Sequence, residues 1–386
     1  MTVRSLENKT IIVGVTGSIA ATETIKLIHQ LRRKGATVHA VMTSAARQVL
    51  HPNALEYATQ NPVIDELTGK TEHVAFLGTQ GAADLLLIAP CTANTIGKVA
   101  HGIADTPVTT CALIALGSRK PVVIAPAMHE SMYSYVLVED NLARLKGQIH
   151  FVWPRFEEGK AKIAEISEIM LTVERLLSQR DLEGKKMLIT SGATKEALDP
   201  IRVLTTRSSG KMGRAIAYEA ARRGADVIIV HNGNASFVKQ LHVESAAEMC
   251  EAVLAELKKG YNIFINAAAI SDFTVDKRSE KIRSGGTLQL ELKSVPKLTD
   301  VVRKKYPHLF IVCFKAETHS TPEALVECAR SISVDLVVAN DVTVRGMGTD
   351  DNEIYIVNSQ VERYEGDKTY LAVKIVDAVV HRMNRE

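Results

Sequence analysis

Nearly unbroken apolar runs of four to nine residues, rich in β-branched side chains, recur along this chain with helical stretches between them. The pattern runs through twice. In the first half the runs are IIVGV (residues 11–15), VHAVM (38–42), DLLLIAP (84–90), PVVIAP (121–126) and IHFVW (149–153). A strand that is apolar at successive positions has both faces covered, and strands of this kind alternating with amphipathic helices imply a parallel sheet sandwiched between helices. A helix around residues 166–177 leads into the polar, charge-rich SQRDLEGKK (178–186), and the pattern then restarts. MLIT (187–190), DVIIVHN (226–232), YNIFINAAA (261–269), LFIVCF (309–314), DLVVAN (335–340) and EIYIV (353–357) follow, with a closing helix through 372–383. The expectation is two doubly wound, Rossmann-like α/β domains, 1–180 and 181–386. At 386 residues each is long enough to bury its own core.

Composition narrows the class of partner. With 47 basic against 44 acidic residues spread along the chain, the net charge of +3 gives no basic footprint for nucleic acid. Five cysteines, with no CxxC pair and no metal spacing, do not form a disulfide framework and point to a reducing cytoplasm. The amino terminus lacks an apolar signal core, and no apolar run approaches the roughly 18 residues of a membrane span. No nucleic-acid or membrane partner is expected.

Each half opens with a small-residue loop between an apolar strand and a helix start, where backbone N–H groups and the helix dipole can hold a phosphate. In GVTGSIAA (14–21) the GxGxxG fingerprint is missing. The second strand ends in Met42-Thr43-Ser44, where a dinucleotide fold wants an acid for the ribose diol. A mononucleotide phosphate fits better, with Gly17 allowing close backbone approach and Ser18 and Ser44 offering hydroxyls; the plain alternative is a tight packing turn. Thr92, Asn94 and Thr95 crowd the end of the third strand, and PAMHESMY (126–133) brings Met128 and His129 to the same edge. In the second half, Thr206, Arg207, Ser208, Ser209, Gly210 and Lys211 precede a helix without forming a Walker A loop. NAAAISDF (266–273) ends a strand in residues small enough for a flat base, with Asp272 suited to a ribose or a metal. DKRSEKIRSG (276–285) follows as a cationic flap carrying Lys277, Lys281 and Arg283, with Gly285 and Gly286 as hinges. A capped helix and solvated surface charge is the plain alternative for these segments.

Through TGSIAA, TEHVAF (71–76), APCTANT (89–95) and PAMH (126–129) the first half resembles the homo-oligomeric flavin-dependent cysteine decarboxylases. With RSSGKMG (207–213), NAAA, FKAE (314–317) and VANDV (338–342), the whole chain resembles the bifunctional phosphopantothenoylcysteine decarboxylase/phosphopantothenate–cysteine ligase family, in its archaeal form. The resemblance implies an N-terminal flavoprotein domain and a C-terminal nucleotide-dependent ligase domain. It implies FMN held by Gly17, Ser18, Ile19, Ser44, Thr92, Asn94 and Met128, with His73 as catalytic acid/base and His129 acting on substrate. Losing CO2 from a cysteine carboxylate leaves an unstabilised carbanion, so the flavin is expected to serve as electron sink. In the ligase half it implies CTP and Mg²⁺, an acyl-cytidylate from 4′-phosphopantothenate, and attack by L-cysteine. Asn266, Ala267, Ala268, Asp272, Phe314, Lys315 and Ser208 to Lys211 would bind nucleotide, Lys281 would stabilise the triphosphate, and Asp272 would hold Mg²⁺.

Several positions depart from the family pattern. His129 stands where Asn is usual, and Thr206 where an Asn precedes RSSGKMG. The substrate flap PRFEEGKAKIAE (154–165) has no cysteine, so Lys160 and Lys162 are expected to bind the substrate phosphate, with proton donation as the alternative; Arg207 joins them as a substrate contact. Assembly from decarboxylase trimers and ligase dimers is implied. Two further readings stay open: a flavin-binding regulator without catalysis, and an active ligase fused to a flavoprotein of other specificity.

Overall fold

Every position of Leu85–Cys91 is buried, and the side chains split by parity between two cores. Leu85, Leu87 and Ala89 pack with Leu27, Leu31, Ile169 and Val173, whereas Leu86 and Ile88 pack with Ile96, Val99, Val108 and Ala112. The period of two sends alternate residues to opposite faces, and each face needs its own helices. In this computed structural model, which describes residues 3–233, 235, 237–285, 287–319, 321–343, 347–358 and 360–384, that strand lies at the centre of a five-stranded parallel sheet. Its order is Thr37–Met42, Thr10–Val15, Leu85–Cys91, Val122–Pro126, His150–Phe151. Counted along the chain this is 2-1-3-4-5, a doubly wound order whose ligand crevice opens where the winding reverses, between the first and third strands.

The second half winds as 3-2-1-4-5-6: Lys239–His242, Asp226–His231, Lys186–Ser191, Ile263–Asn266, Phe310–Glu317 and Leu336–Asp341, all parallel. Its reversal falls between Lys186–Ser191 and Ile263–Asn266. The expected α/β class therefore holds in both halves. The chain divides into two compact units, Arg4–Ser178 and Gln179–Glu386, with Val3 grouped with the second. No helix among the described residues is long and apolar enough to cross a membrane.

Local details differ from the sequence expectations. Asp351–Val357, which contains EIYIV, pairs antiparallel with Leu336–Asp341, and an unexpected strand, Val361–Asp367, pairs antiparallel beyond it. VERYEGD is mostly exposed at this sheet edge, so its sequence lacks the apolar signature of a strand. IHFVW supplies only His150–Phe151 to the sheet. After TGS the chain makes a 3₁₀ turn, Ile19–Glu23, before the helix Thr24–Arg33. The last helix starts early, at Lys368, because the Asp367 side chain caps it by accepting from Tyr370 N. The flap around 154–165 is a hairpin: Arg155–Glu157 and Lys160–Lys162 join through Glu158 and Gly159, at φ of 53° and 67°. Two consecutive positive φ values suit the right-handed twist of a two-residue hairpin, and Gly159 takes one of them without strain. Of the two expected flap hinges in the second half, Gly285 has a φ of 117°; Gly286 lies outside the described residues.

Candidate functional site

At the first reversal point, three loops are tied together by threonines. Thr16 Oγ1 donates to the carbonyl of Pro90 at 2.8 Å and accepts from Thr92 N at 3.0 Å. Thr24 Oγ1 donates to Ala89 O at 2.9 Å. Neither Thr16 nor Thr24 was singled out from the sequence; their signal is only that a buried hydroxyl needs a partner once the sheet is built. Gly17 faces Ala45 so closely that a Cβ would sit 2.7 Å from Ala45 Cβ. This contact brings the Ser18 and Ser44 loops side by side. Ser18 Oγ accepts from Ala20 N at 3.4 Å, Ile19 is 79 % exposed, and Ser44 opens the short helix Ser44–Arg47. Thr92 caps the helix Ala93–Ala100, its Oγ1 accepting from Thr95 N at 3.4 Å, and Asn94 stands exposed on that first turn. Thr16–Asn94 is thus one loop cluster with helix N-termini at its rim, an arrangement that suits a phosphate.

His73 lies on the helix Glu72–Leu77, and its Nδ1 is buried with no hydrogen-bond partner among the described residues. A buried ring nitrogen left unsatisfied costs about 1–3 kcal/mol, so this atom fits a ligand that supplies the missing partner. His129 lies in the short strand Met128–His129, which pairs with Lys160–Lys162, so the PAMH segment and the flap hairpin form one three-stranded antiparallel sheet. The His129 ring faces its own chain: Nδ1 accepts from Ser131 N at 3.3 Å and meets Ser131 Oγ at 2.9 Å. Met128 is partly buried against the second core. Lys160 is exposed. Lys162 Nζ is held by Glu157 at 3.1 Å and Glu158 at 3.0 Å, which raise its pKa. A substrate phosphate would have to compete with both carboxylates for it.

At the second reversal point is a cavity of about 690 Å³. Thr206, Ser208, Ser209, Gly210 and Lys211 line one side of it. Asn266, Ala267, Ala268 and Asp272 line another, with Phe314 and Lys315 completing the expected set. The close approach has two causes. A Cβ on Gly213 would meet Ser191 Cβ at 2.6 Å, so only glycine lets the helix Lys211–Arg222 press on the first strand, and Gly210 enters that helix at a φ of 70°. Thr190 Oγ1 donates to Asn266 Oδ1 at 2.7 Å, which orients the Asn266 amide, and Thr194 Oγ1 accepts from Ser271 N at 2.9 Å. Thr206 Oγ1 reaches Ala269 O at 3.5 Å.

Among the described residues, three of the four lysines lining the cavity have anionic or carbonyl partners, and the fourth, Lys297, is exposed. Lys211 Nζ pairs with Asp350 at 2.5 Å, and Lys315 Nζ with Glu317 at 2.8 Å, the latter contact raising the pKa of Lys315. Lys368, which the sequence reading missed, is buried in the lining, donates to Thr349 O and has its pKa lowered by that burial. Nothing local marks it, because it enters the cavity only by folding back from the start of the last helix. Asp272 shares the lining with Asp300. Two carboxylates are enough for a Mg²⁺ that keeps waters and phosphate oxygens as its other ligands. Among the described residues there is no cluster of three or more His, Cys, Asp or Glu able to hold a metal. Lys281 and Arg207 are exposed and stand outside the cavity lining.

Comparison with known proteins covers both halves of the chain. A family model described as the DNA/pantothenate metabolism flavoprotein C-terminal domain matches residues 182–383, and one described as Flavoprotein matches 2–178. The coenzyme A biosynthesis bifunctional protein CoaBC of Thermococcus kodakarensis is 48 % identical over 92 % of this chain and 90 % of its own length. The chain belongs to the CoaBC family. The CoaBC protein of Methanocaldococcus jannaschii is 37 % identical over 97 % of this chain and 94 % of its own. A crystal structure of a CoaBC C-terminal domain is 28 % identical, covering 54 % of this chain and all of that one, with a TM-score of 0.45. As a CoaBC family member the chain is a bifunctional enzyme of coenzyme A biosynthesis, a ligase and a decarboxylase, with a flavoprotein domain in its first half.

Proposed function

We propose that the Arg4–Ser178 unit binds FMN and decarboxylates 4′-phosphopantothenoylcysteine, and that the Gln179–Glu386 unit makes this substrate from 4′-phosphopantothenate, L-cysteine and CTP with Mg²⁺. The observation that carries the reading is that each unit has its own winding reversal with a small-residue loop beside it, one next to the Thr16–Asn94 cluster and one at the 690 Å³ cavity. Two sites of different construction suit two different reactions.

In the first unit, Gly17, Ser18, Ser44, Thr92 and Asn94 would hold the FMN phosphate end, with Ile19 and Met128 as apolar contacts. Bound FMN supplies a reversible two-electron acceptor for the thiol-bearing carbon of the substrate. His73 moves the proton, since an imidazole offers both a donor and an acceptor nitrogen and its Nδ1 has no partner among the described residues. His129 and the flap lysines, joined in one small sheet, orient the substrate's carboxylate and phosphate ends. In the second unit, Ala267 and Ala268 leave room for the base against Phe314. The Ser208–Lys211 turn takes phosphate oxygens, Asp272 takes Mg²⁺, and Lys281 neutralises the leaving pyrophosphate. Thr206 and Arg207 face the acyl half of the substrate. Decarboxylase trimers and ligase dimers, in the cytoplasm, complete the reading.

The purified full chain should be yellow and release FMN on denaturation. Given 4′-phosphopantothenate, L-cysteine, CTP and Mg²⁺, it should yield pyrophosphate and then CO2. Pyrophosphate without CO2 would remove the decarboxylase assignment, and neither product would leave a flavin-binding regulator. Gly17→Ala tests the cofactor loop. Its new methyl must displace Ala45, whose Cβ lies 2.7 Å from the ideal position and whose backbone carbon lies 3.1 Å away. Flavin affinity, read from visible absorbance retained after gel filtration, should fall about 5–150-fold, in line with the 1–3 kcal/mol usual for overpacking. Ligation should persist.

A further inference from the structure

The carboxyl of Asp199 is wholly buried, yet it sits in the turn between two short strands, Lys195–Ala197 and Val203–Thr205, outside the lining of the 690 Å³ cavity. Oδ1 accepts from the backbone N–H groups of Ile201 and Arg202, each at 2.7 Å. Oδ2 accepts from Arg202 Nη1 at 2.6 Å and from the N–H of Ile282, 83 residues away, at 3.0 Å. The same Arg202 Nη1 donates to Ile282 O at 2.9 Å, so both backbone groups of Ile282 are held. A second tie, Arg278 N to Leu198 O at 3.0 Å, lies four residues upstream. The carboxyl titrates well below the usual carboxylate range, first because of the Ile282 N–H and also because of the other donors.

The segment held in this way is the cationic flap. Residues 275–285 contain no helix or strand, and Lys277, Lys281 and Arg283 are exposed. A stretch with no ladder of its own and few buried contacts opens easily unless a few tertiary bonds hold it. Here the grip on the Ile282 N–H is one buried carboxylate, which must keep its donors because a buried charge without them is costly. The residue it grips adjoins Lys281.

We propose that Asp199 is a positioning residue for ligation, fixing the flap at Ile282 so that the neighbouring Lys281 is presented to the triphosphate. The proposal rests on the assignment of Lys281 to the ligase reaction. Arg202 assists by bridging the carboxylate and the Ile282 carbonyl.

The test uses the full-length, flavin-loaded chain and pyrophosphate release at varied CTP. Asp199→Asn preserves volume but turns one acceptor oxygen into a donor facing N–H groups. It should lower kcat/KM for CTP by about 10–100-fold, the scale of a misplaced catalytic group. Decarboxylation of supplied 4′-phosphopantothenoylcysteine should be unchanged, which controls for folding. In a Lys281→Gln background the same change should cost less than about twofold, because residues acting through one another are not additive. Native trypsin cleavage after Lys277, Arg278, Lys281 and Arg283 should accelerate severalfold in Asp199→Asn. Equal losses in both backgrounds, or unaltered cleavage, would overturn the proposal. If Lys281→Gln alone leaves ligation intact, the ligase assignment of the flap fails instead, and the trypsin arm still decides whether Asp199 holds it.

Discussion

Replacing His73 with Asn should reduce CO2 release from 4′-phosphopantothenoylcysteine by about 10²–10⁴-fold, the usual contribution of a positioned acid–base group. Ligation in the same chain should remain at full rate. The argument is local. His73 lies on a six-residue helix in the first unit, half-buried, and its buried Nδ1 has no hydrogen-bond partner among the described residues. Asn keeps a donor and an acceptor of similar reach but cannot carry a proton near neutral pH. The variant should therefore still bind flavin and stay yellow while turnover collapses. The measurement is trapped CO2 alongside pyrophosphate from the ligase step, with visible absorbance as the cofactor control. Loss of both activities together would contradict the separation into two sites; an undiminished CO2 yield would remove His73 from the chemistry.

The mirror result is expected for Lys281→Gln. Pyrophosphate release should fall about 10²–10³-fold, the loss typical for removing one group that stabilises developing charge in a transition state, while decarboxylation of supplied substrate stays unchanged. Lys281 is exposed and lies outside the cavity lining, whereas Lys211, Lys315 and Lys368 in that lining already have partners. A cation on a flap can meet the triphosphate without first giving up a buried contact, and its four-carbon stem supplies the reach. The effect should appear mainly in kcat, since charge on the leaving pyrophosphate grows along the reaction. An effect on KM for CTP alone would make Lys281 a ground-state binding group instead.

How much of this was legible beforehand can be judged from particular residues. The central strands could be read because burial on both faces leaves continuous apolar runs; Leu85–Cys91 and the first four residues of Phe310–Glu317 are examples. Val361–Asp367 was missed because an edge strand needs no apolar signature. The chain segments named from motifs around Ser208–Lys211 and Asn266–Asp272 do line one cavity. Lys281 and Arg207, named from the cationic flap and the RSSGKMG motif, do not line it, since a motif does not say where its side chains are carried. The His129 ring was expected to face a ligand, and it caps its own short helix through Nδ1. Such a cap is a feature of backbone geometry at one residue, invisible in a motif.

From the amino-acid order alone came two α/β units with parallel sheets, and small-residue turns at the strand ends, because periodicity and glycine placement act over a few residues. Tertiary structure alone decided which groups meet: the Thr16 hydroxyl with the Thr92 N–H, Thr190 with Asn266, the Asp199 carboxylate with the Ile282 N–H, Lys368 with the cavity wall. Each pairing spans dozens of residues and depends on the order in which the strands lie across the sheet. Apolar runs of equal quality favour a parallel sheet but not one winding over another, so the positions of the reversals, and with them the sites, emerge only when helices, loops and buried polar groups are satisfied together.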